Sequence, residues 1–425
     1  MISTGNYKEA SDSIAVQGIL YMGKEVLRST VLMVASITTA HALEGDFKGF
    51  KYAFHGFISA TGYTQTTPGF VLNGQGPLIL LFTPSTSSTT TGFDVRQTRL
   101  TFSASGPSVM GGATPKGLIE IDFFGLNSPG GYGEVSVYPR LRLAYTELDW
   151  YGRNKIRAGQ DWELLMVDLP TSLSHLAYPV TYFAGLVGWR EPGVSFFHTD
   201  TMENSNLEFA LQVLKSDWQN PLDFGQSTVQ NLNVDAGQLS GLPGIEMRTK
   251  WTSANQDYAV YVVGHVSKVD GTRVRNLPIS GGIFVTTPTR NWTVAVAKIG
   301  GKAKVSAFTL KGEVYTGKNT GPLIGEQLQF ITANDVHESG GWIQLGYDLP
   351  NNFSIYGTYG IAADNKSDVV SGGGVRYQNQ VYGGMIQYRS KTFAVGPEIY
   401  HVTTSTVSGS PLQGITYLLS ANYGF

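Results

Sequence analysis

The residues in this chain whose types and spacing could do chemistry are its arginines and carboxylates, not its histidines. His55, His175, His198, His265, His337 and His401 stand singly along the chain, with no H-E-x-x-H run, no G-x-S-x-G and no close His pair. Nucleophilic catalysis needs a base within hydrogen-bond reach of its nucleophile. A zinc site needs several ligands on one face at short spacing. Neither pattern is present, and the absence of Cys removes thiolate ligands and disulfides. Gly125, Gly159 and Gly264 lie in or beside extended runs, and none opens a helix as a nucleotide site requires. No cofactor is expected.

What recurs instead is charge on alternate positions. Arg99, Arg140, Arg142 and Arg157 fall on one face of successive alternating runs, and Arg248, Lys250, Lys311 and Arg389 do so farther along. Glu120, Asp122, Glu208, Glu246, Glu313 and Glu398 share that face. The connection from Asp161 to Glu191 carries Asp161, Glu163 and Asp168 among apolar residues such as Leu164-Leu-Met-Val167. A stretch this apolar gains by folding under cover. If it folds into a lumen, its acids and the arginines opposite form a transverse field that orders water and favours polar solutes. The competing reading is a set of solvated interior charges that balance one another.

The elements that must position these groups are strands. Ile415, Tyr417, Leu419, Ala421, Tyr423 and Phe425 alternate with Thr416, Leu418, Ser420, Asn422 and Gly424, a period of two. Ile119, Ile121 and Phe123 alternate with Glu120 and Asp122, and Leu141, Leu143 and Tyr145 with Arg140, Arg142 and Ala144. The pattern predicts sixteen strands, at about 52–61, 93–105, 116–125, 139–150, 154–160, 192–199, 206–215, 244–252, 257–267, 291–299, 302–315, 341–349, 352–361, 379–389, 391–403 and 413–425. Long connections (62–92, 126–138, 161–191, 216–243, 268–290, 316–340, 362–378, 404–412) alternate with short ones such as Tyr151-Gly-Arg153 and Pro350-Asn351. That order is the one bacterial membrane barrels show. Phe57, Trp150, Tyr151, Trp251, Trp342, Tyr347, Tyr423 and Phe425 are expected in girdles at the two interfaces.

Composition agrees. Of 425 residues only 15% are charged, against about 25% in soluble domains, yet no stretch after residue 42 has the roughly 20 apolar residues of a membrane helix. The net charge of −2 gives no footprint for nucleic acid. The reading is therefore an all-β, 16-stranded antiparallel transmembrane barrel over 52–425. Residues 22–42 read as a signal peptide cleaved after Ala42, with Met22 the start and 1–21 upstream of it. Residues 43–51 read as a short periplasmic segment.

The runs Val95-Arg-Gln-Thr-Arg-Leu100, Gly117-Leu-Ile-Glu-Ile-Asp-Phe-Phe-Gly125, Pro139-Arg-Leu-Arg-Leu-Ala-Tyr145, Ala158-Gly-Gln-Asp-Trp162 and Trp189-Arg-Glu-Pro-Gly-Val194 resemble the DcaP-like porins of Gram-negative outer membranes. The resemblance covers residues 52–200 best. It implies a trimeric channel with an inward-folded third loop, a preference for small, often negatively charged organic solutes, and Arg96, Arg99, Arg140, Arg142 and Arg157 as the basic positions.

Sixteen strands leave an aqueous bore, so size and resemblance lead to one expectation. The chain forms an outer-membrane diffusion channel, with membrane lipid and lipopolysaccharide outside it and small polar or anionic solutes within. The constriction is expected from Arg99, Arg140, Arg142, Arg157, Glu120, Asp122, Asp161, Glu163 and Asp168. The alternative is a barrel enzyme, or an adhesin or receptor with a closed lumen, for which the Gly-, Ser- and Thr-rich outer loops 85–91 and 372–374 would serve.

Overall fold

A computed structural model describes residues 43–67, 73–76, 78–80, 89–125, 137–216, 236–270, 278–279, 283–284, 290–321, 323, 334–372 and 375–425. The expected leader and the residues before it lie outside these, as do parts of the outer loops, 85–88 and 373–374 among them.

The described strands are β1 (Leu43–Phe47), β2 (Phe50–Gln65), β3 (Thr90–Asp94), β4 (Arg99–Ser105), β5 (Thr114–Gly125), β6 (Tyr138–Trp150), β7 (Asn154–Trp162), β8 (Arg190–Met202), β9 (Ser205–Leu214), β10 (Gly244–Ser253) and β11 (Tyr258–Asp270). There follow β12 (Pro278–Ile279) and β13 (Ile283–Phe284), a small separate hairpin. The series ends with β14 (Asn291–Val305), β15 (Phe308–Lys318), β16 (His337–Asp348), β17 (Phe353–Asp364), β18 (Arg376–Arg389), β19 (Phe393–Thr406) and β20 (Leu412–Gly424). Each strand from β4 to β20, the β12/β13 hairpin aside, pairs antiparallel with the next. β20 pairs back onto β2 from Phe57↔Gly424 to Gln65↔Thr416. With β3 and β4 counted as one interrupted strand, this is a closed sixteen-stranded barrel. Closure leaves no open edge for hydrocarbon to face.

The period of two sorts the side chains. Val260, Val262, Ile343, Leu345, Ile386 and Leu419 stand exposed on the outside, while Gln212, Glu246, Lys298, Gln344, Glu398 and Ser420 between such positions are buried within. A polar inside and an apolar outside invert the arrangement of a soluble sandwich. No described helix is long and apolar enough to cross a membrane.

The structure corrects the expected pattern at several points. The segment 43–51 is not a plain lead-in, because β1 pairs with the start of β2, Leu43↔Phe54 to Phe47↔Phe50. The run 93–105 breaks at 95–98, where Asp94 accepts the Arg96 amide and holds its guanidinium, and the Thr98 amide donates to Val95 O at 3.1 Å. The connection expected at 404–412 shrinks to 407–411. In β6 the register slips against β5 between Glu120 and Ile121. This bulge carries Tyr145 and Glu147 to the inner face, where strict alternation from Leu141 had put Tyr145 outside. Phe57 and Trp342 leave the expected girdles. Phe57 faces in beneath Arg99, and Trp342 is buried inside. Tyr151, Trp251 and Tyr423 are exposed, as interface residues should be.

Candidate functional site

Four adjacent strands, β4–β7, build a wall of arginines paired with carboxylates. The register sets Arg99 on β4 opposite Asp122 on β5, and Asp122 opposite Arg140 on β6. Arg140 grips Asp122 two-handed, Nε to Oδ1 at 3.0 Å and Nη2 to Oδ2 at 2.6 Å, and its Nη1 donates to the Tyr178 hydroxyl at 2.8 Å. Arg142 donates from Nε to Glu120 Oε1 at 2.7 Å and from Nη1 to Asp122 Oδ2 at 2.9 Å. Arg99 lies 3.6 Å from Glu120 and donates from Nη2 to Leu176 O at 2.9 Å. On β7, Arg157 binds Glu147 Oε2 through Nε at 3.0 Å and Nη2 at 2.6 Å, and also pairs with Asp161. Aromatic rings back the guanidiniums: Tyr145 lies 4.1 Å below Arg157, and Phe57 5.2 Å below Arg99. Planar forks held between carboxylates and rings keep their geometry without losing charge.

The connection between β7 and β8 folds inward and is seated chiefly against β14–β20, while its Leu176 O and Tyr178 hydroxyl meet Arg99 and Arg140. Its two ends are joined: Glu163 N–H donates to Trp189 O at 3.0 Å, and Trp189 N–H donates to Glu163 Oε2 at 2.9 Å. Inward side chains then seat it strand by strand. Lys298 Nζ donates to Leu165 O and Val187 O, both at 3.0 Å. Lys311 Nζ reaches Leu169 O at 2.5 Å. Gln344 accepts the Thr171 amide at 2.8 Å and donates to Thr171 O at 2.9 Å. Glu398 accepts the amides of Leu173 and Ser174 at 2.6 and 2.8 Å. Asn422 donates to Leu173 O at 3.1 Å, and Gln97 holds Ser174, Leu176 and Ala177. The loop comes so close at Gly185, where φ is +107°, that a Cβ there would stand 2.1 Å from Gly341 O. The segment around Leu78, Ile79 and Leu80 is buried too, and Asn379 ties Leu78 O to Phe183 O at 3.0 Å each.

The lumen is thus divided unequally. Arg99, Glu120, Arg140 and Arg157 keep 13–23% of their side-chain surface, whereas Lys298 and Glu313 on the far wall keep none. Water therefore has access along β4–β7.

Of the residues expected at a constriction, Arg99, Arg140, Arg142, Glu120 and Asp122 meet in one ion-pair group, and Arg157 and Asp161 form a second with Glu147. Glu163 sits at the base of the loop instead, and Asp168 lies toward Lys311 and Tyr261. The acids nearest the arginines come from the same wall, not from the loop across it. Residues that sequence reasoning missed are the seats of the loop: Gln97, Lys298, Gln344, Asn379 and Asn422. Their only signal is a polar residue at an inward position.

The histidines are less solitary than their spacing suggested. His265 places Nδ1 2.8 Å from Glu246 Oε1 and Nε2 2.9 Å from Ser267 Oγ. H-x-S on one strand with a Glu on its neighbour makes the order of a serine hydrolase, but Ser267 is buried. A hydroxyl without a free face cannot attack a substrate. His175 in the loop sits against Tyr400 with rings 5.6 Å apart, and burial pulls its pKa down to about 3.

No protein-family model matches the chain, and no curated protein does. Solved structures do. The outer membrane channel DcaP of Acinetobacter baumannii is 14% identical with a TM-score of 0.66, over 89% of this chain and 99% of that one. The anion-selective porin from Comamonas acidovorans is 11% identical with a TM-score of 0.53, over 88% and 100%. OmpT of Vibrio cholerae, in its trimer form, is 11% identical with a TM-score of 0.53, over 89% and 100%. The fold is that of bacterial outer-membrane porins. With its apolar outer belt, it places the chain in the outer membrane.

Proposed function

We propose that this protein is a passive outer-membrane channel for small hydrophilic solutes, favouring anionic organic ones, and that it has no enzymatic role. One observation carries the reading: the inward loop is seated chiefly on the β14–β20 side and, although it touches Arg99 and Arg140, leaves Arg99, Arg140 and Arg157 with 18–23% of their side-chain surface. A solute descending along β4–β7 meets the guanidiniums of Arg99, Arg140 and Arg157, with the partly buried Glu120 as a counter-charge. Fixed charge in a narrow, low-dielectric passage raises the local concentration of the opposite sign.

The Comamonas structure is named as anion-selective and the DcaP structure as a channel, which supports the same direction here. The trimer form of OmpT supports a homotrimer. Lipid and lipopolysaccharide are the surroundings such a belt requires. The leader and barrel boundaries expected from the sequence belong to this reading as well.

Planar-bilayer recording of refolded protein tests it. Stepwise openings in threes, with a reversal potential displaced toward anions under a salt gradient, are expected. A barrel that inserts and stays silent overturns the channel.

A further inference from the structure

We propose that Glu163 is a proton-operated latch: with its carboxyl neutral it clasps both ends of the 163–189 loop, and losing that proton loosens the loop and widens the passage. The proposal rests on the channel reading above.

The geometry is that of a clasp with one arm unanswered. Glu163 Oε2 accepts the Trp189 amide at 2.9 Å while Glu163 N–H holds Trp189 O at 3.0 Å. Gly188 lets the backbone come this close, since a Cβ there would stand 3.0 Å from Glu163 Oε2. Among the described residues no donor reaches Glu163 Oε1. On β10, Glu246 gives Oε1 to His265, and its Oε2 also meets no donor. Both side chains are buried. A buried carboxylate oxygen without a partner is expensive, and a second carboxylate nearby makes it more so.

The cations near the clasp have contacts of their own, although Arg190 Nη1 and Arg248 Nε meet no acceptor among the described residues. Lys298 on β14 gives its protons to Glu313, Leu165 O and Val187 O. Arg248 on β10 binds Glu208 at 2.9 Å and reaches Leu164 O at 3.4 Å. Arg190 on β8 lies over the rings of Trp189 and Trp162, at 4.0 and 4.8 Å. Lys215 stands 3.9 Å from Glu191. The remaining titratable neighbours are His265 on Glu246 and Tyr182, whose hydroxyl donates to Gly188 O at 2.6 Å. Burial first, then Glu246 and Glu191, hold the Glu163 carboxyl well above its usual range.

The sign follows from linkage. An acid whose folded pKa is raised binds more protons folded than unfolded. The latch is therefore firm in acid and weakens as pH rises from the ordinary carboxyl range through the elevated folded value.

The test is hydrogen exchange of the 163–189 peptides in the intact barrel from about pH 4 to about pH 10, wild type against Glu163→Gln and Glu246→Gln at each pH. Comparison at equal pH cancels the intrinsic exchange rate. Wild type is expected to lose tenfold or more of its protection at Trp189 across the range, and E163Q to stay level. E246Q, which removes one repelling charge and so lowers the folded value, should make the loss smaller and complete it at lower pH. The same loss in E163Q as in wild type overturns the latch, as does wild-type protection that stays level. Bilayer conductance recorded in parallel separates the two ideas. A barrel silent at every pH whose loop still loosens with alkali would sink the channel reading and leave the latch standing.

Discussion

Lys298 and Glu313 face each other across β14 and β15 at 2.8 Å, with neither side chain exposed, and the lysine's other two protons hold Leu165 O and Val187 O. One ion pair thus fastens the outgoing and returning limbs of the inward loop to the wall. Replacing Lys298 by Met should lower stability by roughly 3–5 kcal/mol, the cost of leaving a buried partner charge unpaired. The double variant K298M/E313M should recover much of that loss without recovering the loop's anchorage. Thermal unfolding in detergent reads the first effect and single-channel conductance the second.

The arginines of the wall should separate into two kinds when reversed. Arg99→Glu and Arg140→Glu alter groups that still meet water, and should move the reversal potential toward cations, the more so at low salt. Arg142 keeps only 1% of its side-chain surface. A glutamate there would face Glu120 and Asp122 in a buried site, so R142E should cost folding yield instead. Reversal potentials and refolding yields, measured on all three, check the division.

Glu398 seats the far bend of the loop through the amides of Leu173 and Ser174, and it also accepts from the Ser172 and Tyr400 hydroxyls, at 2.7 Å each. Hydrogen bonds to a charged acceptor are worth roughly 1.5–3 kcal/mol each. Glu398→Ala should therefore free this bend and raise open-channel conductance and its noise. Glu398→Gln retains an acceptor for the amides and should lie between. Equal conductance in all three would remove Glu398 from the loop's support.

His175 gives the loop an acid limit. Because burial lowers its pKa from 6.5 to about 3, the unfolded chain binds its proton first as pH falls. The stability tied to the neutral ring is whole above about pH 6.5 and drains away as pH falls from there toward 3, by up to about 1.4 kcal/mol per pH unit. In His175→Phe that slope should flatten. Melting temperatures between pH 7 and pH 3 decide it.

The barrel was legible because its signal is dense. Residues at every second position, from Leu207-Phe209-Leu211 to Tyr417-Leu419, declare their face, and short turns such as Pro350-Asn351 mark the ends. Asn351 and Asn352 do take the positive φ that such a turn needs. The arginine wall was legible for the same reason, since Arg99, Asp122 and Arg140 occupy inward positions of neighbouring strands. What alternation cannot carry is a slip in register. The bulge opposite Glu120 moves Tyr145 and Glu147 inward with no mark in composition. Nor does it say where a loop lies once inside: Glu163 reads as a lumen acid until its amide is found bonded to Trp189. The contact between Gly185 and Gly341 joins residues with no spacing rule between them.

The opening hairpin has a consequence of its own. β20 stops opposite Phe57, so the first turn-side residues of β2 would offer bare amides and carbonyls to any passing strand. β1 covers them, and among the described residues it pairs with β2 alone. Its own outer margin bears Glu44 and Asp46. An acidic margin repels the like margin of a neighbouring molecule, which guards crowded barrels against zipping together side by side.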